Sequence, residues 1–185
     1  MVDPSKFSPP PAAVRTRRAY FDCRFGQLHV RTAFPTTGGF DEQVTLFCLH
    51  PSDASSRTFS GLLSEIADLR SAYAPDLPGY GESDPSPTRS VTEAAAAVSD
   101  LANDLRLRQI DLLGIQYGAA VALQLASSRP ELVRYLLLGS PLAPASMAAI
   151  KHPHLILDGA DCSDAELEAP KALAKQISAF LSARP

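Results

Sequence analysis

The sequence is poor in cysteine, has no excess of basic residues and contains no long apolar run. Its three cysteines, Cys23, Cys48 and Cys162, are widely spaced and match neither a disulfide framework nor paired metal ligands. This usage predicts a reducing compartment, and we expect a cytoplasmic protein. No apolar stretch reaches the length of a membrane span, which argues against a membrane protein. A formal net charge of -3 offers no basic patch to a phosphate backbone, so we expect no nucleic-acid partner.

Motifs for cofactors and metal ions are also missing. The segment 114–118 lacks the lysine of a phosphate-binding loop and the third glycine of a dinucleotide fingerprint. Histidines and acidic residues do not recur at metal-ligand spacing, so the sequence predicts no cofactor and no metal site. Its 185 residues, 45% apolar and 20% charged, are typical of one globular domain.

Strands and helices alternate after a Pro-rich N-terminal segment. We interpret residues 1–17 as a disordered leader and 18–185 as a single domain. Apolar periodicity predicts strands at 19–24, 27–34, 44–49, 71–74, 110–114, 133–138 and 154–157, and helices at 57–70, 90–107, 116–128 and from about residue 170. This alternation predicts an α/β fold with a mostly parallel sheet of six to seven strands flanked by helices.

The junction between the strand at 110–114 and the next helix reads Gly-Ile-Gln-Tyr-Gly. Its glycine spacing is that of a nucleophile elbow, G-x-S-x-G, in which a serine occupies a sharp turn between strand and helix. Gln116 occupies the serine position here. An amide donates and accepts hydrogen bonds, but it does not attack an ester carbonyl at neutral pH.

Three further segments accompany this junction: Leu46 to Pro51, Val133 to Ser140, and Ala74 to Ser83 with its run Asp-Leu-Pro-Gly-Tyr-Gly-Glu-Ser. Together they resemble the N-terminal half of an α/β-hydrolase-fold enzyme of the esterase and epoxide-hydrolase-like group. The resemblance covers roughly residues 18–143. It implies an α/β-hydrolase-like fold, a catalytic serine, histidine and acid, and two backbone N–H groups that stabilise an oxyanion.

The implied oxyanion hole is only partly present. Tyr117 would supply one N–H, since it follows the nucleophile position, and its ring is expected either to fill or to line the pocket. The second N–H would come from the loop after His50, where Pro51 has none and Ser52 is the remaining donor. We interpret His50 itself as a structural residue of this loop.

The implied histidine belongs in the loop before the C-terminal helix, where Cys162 or Ser163 stands instead. All of the chain's histidines precede that loop: His29, His50, His152 and His154. We interpret His29 as a half-exposed strand residue and the last two as surface or edge residues. A nucleophilic role for Cys162 is disfavoured, because the neighbouring Asp161 and Asp164 oppose thiolate formation.

The implied acid has two candidates, Asp158 and Asp161, near the end of the last strand. Only about a dozen residues separate Pro141 from His154, too few for the lid and the additional βα unit that the resemblance implies. We therefore expect a lidless protein that lacks one βα unit. Two registers stay open, because the missing strand is either the acid-bearing or the histidine-bearing one.

These losses favour a catalytically degenerate hydrolase-family protein, a pseudoenzyme that acts by binding. The expected occupant is an apolar small molecule, a protein partner or a second copy of the chain on the surface left bare without a lid. The alternative is an active enzyme that hydrolyses an ester or related bond, or performs acid/base chemistry, at a non-standard site. Gln116 and Tyr117 would then position the substrate, with Asp158 or Asp161 as the base.

Overall fold

The structure is a computed structural model that describes residues 16–35, 43–139, 150–157 and 170–183. Its first two strands, β1 (Thr16–Cys23) and β2 (Gly26–Ala33), form the predicted antiparallel hairpin. Gly26 has a φ of 116°, which residues with a Cβ rarely adopt, so the tight turn depends on glycine at this position.

The domain boundary expected at residue 18 needs a correction. Thr16 and Arg17 belong to β1, where they pair with Ala33 and Thr32 of β2. Pairing with β2 extends the first strand into the segment expected to be a leader. Residues 1–15 lie outside the described part of the chain.

The first parallel pair of strands consists of β3 (Thr45–Leu49) and β4 (Ala72–Pro75). A 3-10 turn (Ser56–Phe59) and helix α1 (Ser60–Ile66) connect them. The helix expected over 57–70 is therefore shorter than predicted. Leu69 extends the apolar periodicity of the sequence, but its side chain is 49% exposed, so no burial supports a longer helix.

The next two helices and two strands lie close to their predicted positions. They comprise α2 (Val91–Asp104), β5 (Ile110–Ile115), α3 (Tyr117–Ser128) and β6 (Val133–Gly139). Helix α2 starts at Ser90, whose Oγ accepts a 3.1 Å hydrogen bond from the Glu93 N–H.

The C-terminal part adds strand β7 (His154–Ile156) and helix α4 (Pro170–Ser182). Pro170 stands at the first helical position, where a missing N–H costs nothing. Helix α4 packs beside α1 and buries one apolar stripe, formed by Leu173, Ile177 and Leu181.

The seven strands of the described residues form one sheet in the order β1-β2-β4-β3-β5-β6-β7. The β1/β2 and β2/β4 pairs are antiparallel and all the others are parallel. One apolar cluster holds α2 and α3 against one face of the sheet, and a second holds α1 and α4 against the other. The predicted α/β sheet is confirmed. Because the carboxyl ends of β3, β5 and β6 share one edge, the His50 loop and Gln116 are brought to the same side of the sheet.

Candidate functional site

Gln116 forms the whole turn between β5 and α3. Its φ of 51° and ψ of -110° lie in a region that side-chain-bearing residues rarely adopt. Its N–H donates a 3.0 Å hydrogen bond to the carbonyl oxygen of Gly139 at the end of β6, and its own carbonyl accepts from Ala119 and Ala120. The backbone of this turn is thus fully held, and the amide side chain is exposed at its tip.

The two flanking glycines allow this turn to pack tightly. A Cβ on Gly114 would overlap the backbone of Gly118, and a Cβ on Gly118 would overlap the carbonyl oxygen of Leu49 at the end of β3. Both positions therefore require glycine for steric reasons. The chain has kept the strained geometry of a nucleophile elbow although its tip carries an amide.

Two backbone N–H groups at this edge of the sheet, those of Tyr117 and Ser52, have no hydrogen bond among the described residues. Tyr117 is the first residue of α3, and an N–H at this position has no partner within the helix. In the loop after β3, the Ala54 N–H donates to the carbonyl oxygen of Pro51, whereas no hydrogen bond holds the Ser52 N–H among the described residues. The assignment of these two N–H groups to an oxyanion hole stays a prediction.

His50 is fully buried, and both of its ring nitrogens are engaged. Nε2 accepts a 2.9 Å hydrogen bond from the Leu77 N–H, which leaves Nδ1 as the protonated nitrogen that donates to the Pro51 carbonyl at 2.7 Å. Burial lowers the pKa of this imidazole, the Pro51 carbonyl and Asp76 opposing it less strongly. His50 therefore links the loops after β3 and β4, and it has no free nitrogen with which to accept a proton.

His29 is not the half-exposed residue that the sequence predicted. It is only 1% exposed, because its ring lies under the turn that follows β4. Its Nδ1 lies 2.9 Å from the Oδ2 atom of Asp76, and its Nε2 has no hydrogen-bond partner among the described residues.

The remaining two histidines lie on the β7 side of the sheet. His152 Nε2 bonds to the Pro130 carbonyl at 3.2 Å, and His154 Nδ1 bonds to the His152 carbonyl at 2.9 Å. All four histidines of the chain thus have described positions, and each bonds to a group other than Gln116.

Asp76 organises the turn that follows β4. Its carboxylate accepts from the backbone N–H groups of Ser56 and Glu82 and pairs with His29, while its carbonyl accepts a 2.6 Å bond from the Ser83 hydroxyl. Burial favours the neutral acid, yet the hydrogen bonds outweigh burial and hold the pKa of Asp76 below its usual 3.8. At Gly81, with a φ of 55°, a Cβ would overlap this carboxylate.

Aromatic rings cover the side of the elbow that lies next to the turn after β4. Tyr80 packs against His50 and Tyr117, with ring centroids 5.3 Å and 5.7 Å apart, and the Arg89 guanidinium lies 4.9 Å above the Tyr80 ring. The Tyr117 hydroxyl donates a 2.9 Å hydrogen bond to the Arg89 carbonyl. Burial, aided by Tyr80, raises the pKa of Tyr117 to about 12. The Tyr117 hydroxyl therefore stays neutral, and its hydrogen bond is made within the protein.

A groove with a volume of about 580 Å³ runs along the side of α3 away from these aromatic rings. Four of its residues recur at helical spacing on α3: Ala120, Leu123, Gln124 and Ser127. Leu136 of β6, Pro130 and the segment 150–152 complete the wall. Gln116 precedes Ala120 by one helical turn, so this face of α3 starts at the elbow.

Comparison with known proteins identifies this arrangement. A family model described as the alpha/beta hydrolase family matches residues 46–183. The chain belongs to the alpha/beta hydrolase family.

Relatives of this hydrolase-family chain are longer proteins. An uncharacterized hydrolase of Bacillus subtilis is 29% identical over 114 residues, which are 60% of this chain and 41% of the relative. An uncharacterized protein of Mycobacterium tuberculosis is 33% identical over 96 residues, 51% of this chain and 28% of the relative. The chain thus spans less than half the length of these curated relatives.

Solved structures show the same fold. The epoxide hydrolase CorEH superposes with a TM-score of 0.61 at 20% identity, covering 73% of this chain and 49% of that one. The carboxylesterase CesB from Bacillus subtilis gives a TM-score of 0.60 at 23% identity, covering 70% and 45%. At these identities the likeness defines the hydrolase fold alone.

Several predicted positions of the hydrolase site lie outside the described residues, namely Asp158, Asp161, Cys162 and Ser163. Among the described positions, Ser83 is a structural serine that accepts from the His29 N–H and donates to Asp76. Cys48 is fully buried, and burial raises the pKa of its thiol.

Sequence reasoning missed the role of Asp76. The run from Asp76 to Ser83 entered only through its resemblance to a known family, but its aspartate is the acceptor around which the turn closes. Its place directly after a buried strand was an available signal, since buried carboxylates require partners.

No cluster of three potential metal ligands occurs within the described ranges. In those same ranges, no helix is both long and apolar enough to cross a membrane.

Proposed function

We propose that this hydrolase-family chain acts by binding and does not hydrolyse esters by a serine mechanism. One observation carries the proposal: Gln116 occupies the tip of an otherwise intact elbow, and all four histidines of the chain bond elsewhere. A serine hydrolase needs both a nucleophile and a base that takes its proton. Here an amide stands at the nucleophile position and each histidine of the chain bonds to another group, so we expect that a change at position 116 alone would not restore the mechanism.

The elbow has the properties of a polar anchor for a ligand. The Gln116 amide is exposed at the tip, and the Tyr117 and Ser52 N–H groups have no partner within the described chain. Such donors suit a carbonyl or carboxylate oxygen. The groove along α3 has the size of a small-molecule site and includes the side chains of Leu123, Leu136 and Ile150. An apolar molecule with one polar end matches both features.

Ester turnover is the first test. The parent, Gln116→Ala and Gln116→Ser would be assayed with p-nitrophenyl acetate and butyrate, and the Gln116→Ala rate would be subtracted as the background of surface nucleophiles. We expect no turnover above background in either the parent or Gln116→Ser. Parent turnover that disappears in Gln116→Ala would overturn the proposal, and hydrolysis by Gln116→Ser would show that a base is present after all.

Binding is tested separately with decanoate, an apolar chain with a carboxylate end. We expect decanoate to raise the melting temperature of the parent, since a ligand of the native state stabilises it by mass action. Leu123→Gln should abolish this rise. Leu69→Gln, at a leucine that is 49% exposed on the other side of the sheet, should leave it unchanged. A rise that survives Leu123→Gln would place the ligand elsewhere and contradict the assignment of the groove. Sedimentation of the same samples would reveal a second copy as the occupant.

The alternative is an enzyme with a non-standard site around Gln116. The observation in its favour is the strained backbone of Gln116, because strain of about 1–3 kcal/mol persists mainly where a site uses it. Gln116 and Tyr117 would position a substrate, and Asp158 or Asp161 would act as the base. An enzyme of this kind should show a reaction rate whose pH dependence follows the titration of one carboxylate. Loss of that rate in Asp158→Asn or Asp161→Asn would favour the enzyme over the binding protein.

A further inference from the structure

A small polar cavity lies between the β1/β2 hairpin and helix α1, away from the elbow. Its volume is about 200 Å³, and its lining consists of Thr16, Arg17, Arg18, Arg31, Ser60 and Leu63. Half of these residues are arginines, in a chain whose overall formal charge is -3. The positive charge of this cavity is therefore local.

Two of the arginines stand directly opposite each other across the hairpin. Arg18 of β1 pairs with Arg31 of β2 in the antiparallel register, so their side chains leave the same face of the sheet. Like charges directly opposite each other destabilise a strand pair. An arrangement of this kind is relieved when an anion lies between the two guanidinium groups.

No such anion comes from the described residues of the chain itself. Within the described ranges, no carboxylate forms an ion pair with Arg17, Arg18 or Arg31. The hydrogen bond from Arg57 lowers the pKa of the Glu82 carboxyl, and the charge of Arg18 lowers that pKa less strongly. The Glu82 carboxylate accepts from Arg57 at 3.2 Å and from the Tyr20 hydroxyl at 3.4 Å, and among the described residues it forms no ion pair with Arg18.

Arg31 supplies the second and independent observation. Its Nε atom is buried and has no hydrogen-bond partner among the described residues. A buried donor without an acceptor is costly, and a guanidinium group offers five donors in a planar fork that fits an oxyanion. The unsatisfied donor and the arginines that form no ion pair with a described residue thus occur in one cavity.

We propose that this cavity binds a phosphate group. The guanidinium groups of Arg18 and Arg31 form charge-assisted hydrogen bonds to its oxygens. A volume of about 200 Å³ is smaller than the sites of whole metabolites and suits one phosphate group, with the rest of the ligand outside. The ligand is inorganic phosphate, a soluble phosphate monoester or the headgroup of a phospholipid, all of which share this chemistry.

The test uses the full chain at constant ionic strength, with chloride replaced stepwise by inorganic phosphate or glycerol 3-phosphate. We expect either anion to raise the melting temperature and to bind in a calorimetric titration. In Arg18→Gln and Arg31→Gln the affinity should fall about tenfold or more, since each loses a charge-assisted hydrogen bond. Arg18 is exposed, so its variant keeps the test valid if Arg31→Gln does not fold.

Arg108→Gln is the matched control, because Arg108 is an exposed arginine outside the cavity. It should bind phosphate like the parent. An equal loss of affinity in Arg108→Gln, or no stabilisation of the parent by any of these probes, would overturn the proposal. A parallel arm with phosphatidylcholine vesicles, with and without phosphatidic acid, identifies a lipid source if binding requires phosphatidic acid and Arg18. Vesicle binding that Arg18→Gln leaves intact would count against the cavity.

Discussion

Helix α3 begins in direct contact with the end of β3, since a Cβ on Gly118 would overlap the backbone carbonyl oxygen of Leu49. This contact sets the distance between the elbow and the loop of His50. The Gly118 Cα and the Leu49 carbonyl both belong to the backbone, so no side-chain rotation could relieve this overlap.

Gly118→Ala should therefore destabilise the fold. We expect the free energy of unfolding to fall by about 2 kcal/mol or more, because the methyl group displaces α3 from β3. Urea denaturation of the variant measures this change. Ser127→Ala, an exposed position on the same helix, should differ from the parent by less than about 0.5 kcal/mol. Equal stability of Gly118→Ala and the parent would show that this contact is not as close as described.

Gln116→Gly should have the opposite effect. Glycine adopts a φ of 51° without the steric cost that glutamine has, so we expect a gain of about 1 kcal/mol in the free energy of unfolding. Gln124→Gly in the middle of α3 serves as the control and should lose about 1 kcal/mol from reduced helix propensity. If both glycine variants lose stability to the same degree, the turn at position 116 is unstrained.

Asp76→Asn should weaken the fold and flatten its acid dependence. The pKa of Asp76 is held below 3.8 in the native state, so its contribution is present above that value and disappears as the pH falls through the native pKa. The parent should lose stability from about pH 4 downward. The variant should be less stable at pH 7 and lose less between pH 4 and pH 2.

Denaturant titrations across this pH range measure the effect at Asp76. Asp53→Asn, at an exposed position in the loop after β3, is the matched control and should keep the parent's acid dependence. A steep acid loss retained in Asp76→Asn would assign that loss to other carboxylates.

Tyr117→Phe should change the alkaline limit of stability. The native pKa of Tyr117 is raised to about 12 from 10, so its neutral hydroxyl contributes fully below pH 10 and this contribution is lost as the pH rises toward 12. The variant lacks the bond to Arg89, should be less stable at pH 8, and should lose less between pH 10 and pH 12. Tyr20→Phe, at a residue that is 55% exposed, should follow the parent. Identical alkaline curves for Tyr117→Phe and the parent would contradict the raised pKa.

Most of the fold was predictable because buried parallel strands and amphipathic helices have strong periodic patterns. The hairpin is one example, since Gly26 marks its turn. Strand β3 is another, since it is a short apolar run with clear ends. The helix at 57–70 was overextended because Leu69 fits the pattern but remains exposed. Periodicity reports which residues share a helix face, and it does not report where the sheet stops covering that face.

The site was predictable only where a motif fixes it. Gln116 and the two glycines beside it were located by their spacing. The burial of His29 could not be predicted from the sequence, because it depends on Asp76, which lies 47 residues further along the chain. A single strand residue carries no sign of a distant carboxylate that will cover it.

The two borders of the sheet have a consequence for self-association. At one border, β1 carries Arg17 and Arg18, whose charges discourage a second strand from adding alongside. At the other border of the sheet, as far as the described residues form it, β7 is only three residues long and so has few backbone groups to pair with a further strand. Neither border is a long, flat and apolar template. Cross-β growth from the native sheet is therefore opposed by charge at one end and by brevity at the other.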